Sequence, residues 1–98
     1  MRLTITASSR DDFDVIVNNE ELHETKQSIF KVDITDADLH ELIQSRVDKD
    51  HLIKFAFIFL LEREPANTIQ SAFNMKTIRQ YFPEFPKVVK NWVVENAE

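Results

Sequence analysis

The chain has no glycine and no cysteine among its 98 residues, and only three prolines. Average usage would place about seven glycines in a chain of this length. Their absence excludes a Walker-type phosphate loop, a Rossmann fingerprint and a nucleophile elbow. Each of these needs glycine where backbone must approach a ligand or turn sharply. The lack of cysteine excludes zinc knuckles, iron–sulfur clusters, disulfide scaffolds and thiol catalysis. Long apolar runs are missing as well. The longest, Phe55 to Leu61, has seven residues, whereas a membrane-spanning helix needs about 20. The stretch after Met1 and Arg2 is too short and polar for a secretory leader. A cytoplasmic protein with no membrane partner is the expectation.

What is present describes a folded globule. Hydrophobic residues make up 43% and charged residues 30% of the chain, a balance that disordered segments do not reach. The length suits a single domain over residues 1–98. The net charge of −5 is unevenly spread: residues 1–50 carry −6 and residues 51–98 carry +1. Binding to a phosphate backbone needs clustered Lys and Arg, so no general nucleic-acid partner is expected.

Alternation in the first third predicts strands. Phe13, Val15 and Val17 share one parity, as do Ser28, Phe30, Val32 and Ile34, which predicts strands over 13–18 and 27–34, with a weaker one over 2–7. Asn18-Asn19 is expected to open the connection, with Glu20 to Glu24 forming a longer hairpin loop. In a glycine-free chain asparagine is the natural left-handed residue, so left-handed conformations are expected at some of Asn18, Asn19, Asn67 and Asn74.

From residue 35 the period becomes helical. Thr35 to Asp38 resembles a capping box with Asp in the third helical position, opening a helix over 36–45. Asp48 is the next cap candidate, with Val47 and Leu52 spaced for a hydrophobic staple. The helix over 49–63 is apolar on nearly every side, Lys54 being the only charge between 52 and 61. Such a helix should be buried all round, with Pro65 stopping it at or before Glu64. A short helix from Pro65 or Asn67 through Ala72 follows, then one capped by Asn74 that carries Met75, Ile78, Tyr81 and Phe82. Pro86 suits the first turn of a last helix, in which Val88, Val89, Trp92 and Val93 form a stripe. The fold class is α+β: an N-terminal antiparallel hairpin, with three strands if 2–7 joins, then four to five short helices packed around a buried central one.

The segment Phe59-Leu-Leu-Glu-Arg-Glu-Pro65, followed by Thr68-Ile69, Phe73, Ile78 and Tyr81-Phe-Pro-Glu-Phe85, resembles a family of short uncharacterised bacterial proteins. These carry F-L-L-E-R-E-P, then S-I-L, a spaced Phe and Ile, and Y-F-P-E followed by an aromatic residue. The resemblance is good over residues 50–86 and loose over the hairpin. This chain departs from it with Thr68 for Ser and Gln70 for Leu, and extends past it with the Trp92 helix. The family has no assigned activity, so the resemblance implies kinship and no function.

Glu62, Arg63, Glu64 and Tyr81 are the polar residues of that motif. They could form a carboxylate and phenol cluster for acid/base work. The plainer reading is a charged rim where the buried helix meets water, since no nucleophile, metal set or oxyanion hole accompanies them. The three histidines, His23, His40 and His51, are not spaced at three or four positions, so no metal centre is expected, although Asp48 and Asp50 flank His51. The serines have no triad context. No catalytic residue and no cofactor are expected.

Residues 67–82 also read as a helix–turn–helix whose Lys76, Arg79 and Gln80 would meet DNA. Against that stand only two basic residues in the segment and an acidic chain. Phe85 and Trp92, with Lys76 and Arg79 nearby, have the composition of a protein-binding surface. The expected function is therefore a small non-catalytic interaction or accessory domain whose partner is another protein or a second copy. The DNA-binding regulator is the alternative.

Overall fold

A computed structural model of the chain describes residues 2–21, 24–42 and 48–96. It is an α+β fold in which one mixed sheet carries helices on its apolar face. Strands β1 (Arg2–Ala7), β2 (Asp12–Glu21) and β3 (Glu24–Asp33) run antiparallel, and a short β4 (Ala72–Asn74) adds to β3 in parallel, giving the order β1-β2-β3-β4. Helices α1 (Asp36–Leu42) and α2 (Lys49–Arg63) form the crossover from β3 to β4, as a parallel pair requires. Then come α3 (Ile78–Tyr81) and α4 (Phe85–Asn96), with 3₁₀ turns at Ala66–Thr68 and Met75–Thr77.

The parity of the strands decides which face is buried. Ile5, Val15 and Phe30 stand opposite one another, as do Ala7, Phe13 and Val32. Phe13, Val15, Val17, Phe30 and Val32 are buried, while Ile29 on the other face is 57% exposed. The weak strand over 2–7 forms as expected. The hairpin differs from expectation: β2 and β3 stay paired out to Glu21 and Glu24, with Asn18 facing Gln27 and Asn19 facing Lys26. Only Leu22 and His23 lie between the paired ends, and both are outside the described residues. A polar run looks like a loop to a periodicity test, yet backbone pairing needs no apolar side chain.

The turns also differ from expectation. Asn74 is extended, with φ −86° and ψ 144°, Asn18 and Asn19 are in β2, and Asn67 lies in a 3₁₀ turn. Hydrogen bonds converging on Asp12 and on Asn74 hold two of the connections. Between β1 and β2 the Ser8 and Ser9 N–H groups both donate to the Asp12 carbonyl (2.8 and 3.2 Å), and Ser9 Oγ donates to the Asp12 carboxylate at 2.7 Å. Asn74 caps the second 3₁₀ turn by accepting from the Lys76 N–H at 2.8 Å.

The capping box at α1 forms reciprocally. Thr35 Oγ1 accepts from the Asp38 N–H at 3.0 Å and Asp38 Oδ2 accepts from the Thr35 N–H at 3.1 Å. The part of the expected helix beyond Leu42 falls outside the described residues, as does Val47 of the proposed staple. Helix α2 spans the expected range and ends where Pro65 follows an extended Glu64, whose N–H donates to Leu60 O at 2.8 Å. Asp48 precedes it with extended backbone, but its side chain makes no capping bond. Six α2 residues, Leu52 to Leu60, are fully in the core, yet His51, Lys54, Ile58 and Glu62 form an exposed seam at helical spacing. The helix is therefore buried on most of its circumference, not all of it. A single sheet and a few short helices do not have enough surface to enclose a rod completely.

Phenylalanines join the layers. Phe57 lies 5.2 Å from Phe30 and 5.9 Å from Phe73, centroid to centroid, and Phe59 packs edge-on to Phe82 and Phe85 at 5.6 and 5.1 Å. The buried hydrophobic residues form one cluster. No helix among the described residues is long and apolar enough to cross a membrane.

Candidate functional site

Two polar ties hold the elements in register, and they account for the charges that stand closest together. The first centres on Asp38, which is 6% exposed. Besides the capping bond, its carboxylate accepts from Asn74 Nδ2 at 2.9 Å and pairs with Lys76 Nζ at 3.0 Å. Asn74 Nδ2 also donates to Asp33 at 2.7 Å. The Asn74 amide is the main cause holding the Asp38 carboxyl well below the usual carboxylate range. Burial opposes it, while the Thr35 N–H and the Lys76 ammonium support it. The ends of β3 and β4 are thereby tied to the start of α1. Lys76 is raised by its bond to Asp38, and Arg79 reaches Glu41 at 3.8 Å.

The second tie is Lys49, whose side chain is 12% exposed and pairs with Asp11 at 2.8 Å and Asp36 at 2.9 Å. Arg10 also pairs with Asp36. Burial works against the charged ammonium, but the bonds to both carboxylates outweigh it and raise its pKa. Those from Lys49 and Arg10 lower that of Asp36.

The motif residues meet at the far end of α2, where an open groove of about 270 Å³ lies between α2, β4 and α3. Leu60, Ile69, Phe73, Ile78 and Phe82 supply its apolar lining, while Glu64, Thr68, Gln70, Thr77 and Tyr81 supply its polar groups. Local chemistry builds it. Pro65 ends α2, and Thr68 Oγ1 donates to the Pro65 carbonyl at 2.8 Å and lies 3.4 Å from Glu64. Gln70 Nε2 donates to Tyr81 Oη at 3.3 Å across the groove. Glu64 and Tyr81, the latter 63% exposed, leave the groove open to solvent on this side.

The expected polar cluster is thus divided. Glu64 and Tyr81 face the groove, whereas Arg63 lies flat on Phe59, with Cζ 3.6 Å from the ring centroid. Arg63 also donates to the Phe59 carbonyl at 3.0 Å and reaches Glu62 and Glu84 at 3.8 and 3.9 Å. Phe85 is not a surface residue. It is completely buried against Phe59, because the Pro83–Pro86 turn points it inward at the start of α4. Trp92 is half-buried and stacked on Phe55 at 4.7 Å. Lys76 and Arg79 face the Asp38 and Glu41 carboxylates. The helix pair expected over 67–82 does not form: β4 occupies its middle, and α3 has four residues.

Asp48, Asp50 and His51 place one ligand atom each within 4.8 Å of one another, all on exposed residues at the start of α2. His51 Nδ1 lies 3.9 Å from Asp48. His40 is exposed on α1. A second hollow, about 350 Å³, lies beside Asp12, Asp14, Lys31 and Asp33. Asp12 and Asp33 stand directly opposite in the sheet, a like-charge pairing that costs stability. Ser9 and Asn74 offset it by donating to them, each at 2.7 Å.

Sequence reasoning missed Ile69, Phe73, Thr77 and Gln70 as groove residues and Asp33–Asn74 as a tie. Ile69 and Phe73 were legible only as motif members, whereas Ile78 was also expected on the helix capped by Asn74. The geometry defines an α+β domain with a part-apolar groove that has one carboxylate, Glu64, at its lip. Comparison with known protein families, with curated proteins and with solved structures finds no match to this chain.

Proposed function

We propose that the chain is a small non-catalytic interaction domain that docks a segment of another protein in the groove between α2, β4 and α3. The observation that carries this reading is the lining itself: five apolar residues around a space of about 270 Å³. That is just under the usual range for small-molecule sites, roughly 300–1,000 Å³, and suits one large side chain. Glu64, the one carboxylate in the lining, favours a cation next to that side chain, so the partner segment carries an aromatic or aliphatic residue beside Lys or Arg. Asp36, Asp38, Lys49 and Lys76, whose titrations are displaced toward the charged forms, all belong to the structural ties and lie outside the groove lining.

The test is an amide-resolved NMR titration with the acetylated amides of Phe-Lys and Phe-Glu. Phe-Lys is expected to move the signals of Ile69, Phe73, Ile78 and Tyr81, and Phe-Glu to move them several-fold less. Glu64→Lys should invert that preference. Signals that stay fixed at these four residues, or that move around Trp92 instead, would refute the groove as the docking site.

A further inference from the structure

We propose that the open edge of β1 pairs with the same edge of a second copy, antiparallel and centred on Ile5, joining two four-stranded sheets into one. β1 is terminal in the strand order. The phase of its ladder shows which of its groups are unused. Ser8 continues the register that sets Ala7 against Phe13, and its N–H donates to Asp12 O at 2.8 Å. Bonded and non-bonded pairs alternate along an antiparallel ladder. Thr6, Thr4 and Arg2 therefore face β2 with their backbone groups, and Leu3, Ile5 and Ala7 turn theirs to the open edge.

That edge is complementary to itself. With the two-fold axis at Ile5, Ile5 meets Ile5 of the second copy, and Leu3 meets its Ala7 in both directions. Every outward N–H and C=O of the three residues then has a partner. Shifting the axis by one residue to Thr4 sets Ala7 opposite Met1, which lies outside the described residues, whereas the Ile5 axis pairs all three outward residues among themselves. Residues opposite one another share a face, so the half-buried Leu3 and Ile5 of both copies adjoin on the core side. Thr4 stands opposite Thr6 of the other copy on the outer face, a favourable cross-strand pair. The only charge on the strand, Arg2, falls opposite Ser8, so no like charges meet. β1 also lacks the proline, lysine or acidic residue that commonly guards a free edge. At the opposite end of the sheet the edge is formed by β4, only three residues long, and ahead of it by β3, where the sequence Glu24-Thr-Lys-Gln27 is polar and charged. Self-complementarity makes the occupant a second copy and not a foreign peptide.

Analytical ultracentrifugation of the intact chain at high micromolar concentration is expected to show a reversible dimer. T4K/T6K sets lysines of the two copies opposite each other, and dimer affinity should fall at least tenfold. T4K/T6E sets each lysine opposite a glutamate, and the dimer should persist. Thr4 and Thr6 are exposed, and circular dichroism checks that both variants fold. Because the chain has no cysteine, register can also be read by oxidation. A mixture of Thr4→Cys and Thr6→Cys chains should give a mixed disulfide dimer, while either chain alone should not. A strict monomer would overturn the proposal, as would a dimer indifferent to T4K/T6K or cross-linking equally in every mixture.

Discussion

Replacing Asp38 is the most informative single perturbation, because one nearly buried carboxylate serves α1, β3 and β4 together. Asp38→Ala removes the acceptor of the Thr35 N–H, a capping contribution of about 1 kcal/mol. It also strips a partner from the Asn74 amide and the Lys76 ammonium, and an orphaned buried donor costs about 1–3 kcal/mol. Both are discounted, since Asn74 keeps Asp33 at 2.7 Å and the Lys76 side chain is 37% exposed. The expected loss is about 3 kcal/mol, which corresponds to a fall in Tm of roughly 12–24 °C for a domain of this size. Asp38→Asn keeps the shape and removes the charge, so its loss should depend on pH.

The sign of that dependence follows from the lowered pKa of the folded state. As pH falls, the unfolded chain takes up the proton first, near pH 3.9. The stabilisation is fully present above that value and drains away below it, by about 1 kcal/mol at pH 3. Urea unfolding of the wild type and Asp38→Asn at pH 7 and pH 3 should therefore show a gap that narrows in acid. An unchanged gap, or an Asp38→Ala loss below about 1 kcal/mol, would refute the assignment of Asp38 as a charged tie.

Two further perturbations test the rest of the framework. Lys49→Met keeps the stem and removes the ammonium held at 2.8 and 2.9 Å by Asp11 and Asp36, for an expected loss of about 1–3 kcal/mol at pH 7. Because the folded pKa of Lys49 is raised, its contribution is full below about pH 10.4 and lost as pH rises through the folded value. The gap between wild type and variant in chemical denaturation should thus narrow, not widen, in strong alkali. Phe57→Ala empties a completely buried site touching Phe30 and Phe73. It should cost about 3–5 kcal/mol by denaturant titration, and a loss under about 1 kcal/mol would contradict the packing described for α2 on the sheet.

What could be read from the chain alone was encoded within a few neighbouring residues. Alternation at 13–17 and 28–34 set the buried face of the sheet. Thr35 and Asp38 marked the start of α1, and Pro65 the end of α2. Asn74 was legible as a cap, and the lack of glycine narrowed the turns to polar side chains without saying that serine and aspartate would make the first of them. Periodicity, capping and proline geometry act over a turn or a strand, so no distant partner is needed to see them.

The rest depended on what lies across the fold. Three residues, Ala72 to Asn74, are too few to show a period, and they became a strand only because the crossover laid them beside β3. The polar run from Asn18 to Glu21 extends β2 because residues 24–27 face it. Phe85 has the composition of an anchor for a partner but is enclosed by Phe59, and Lys76 and Arg79 could have faced a phosphate backbone but meet Asp38 and Glu41. Glu64 and Tyr81 share a groove only because α3 folds back over the end of α2. Burial and charge pairing are long-range properties: an isolated sequence position specifies what a side chain can bind, and the tertiary structure decides what it touches.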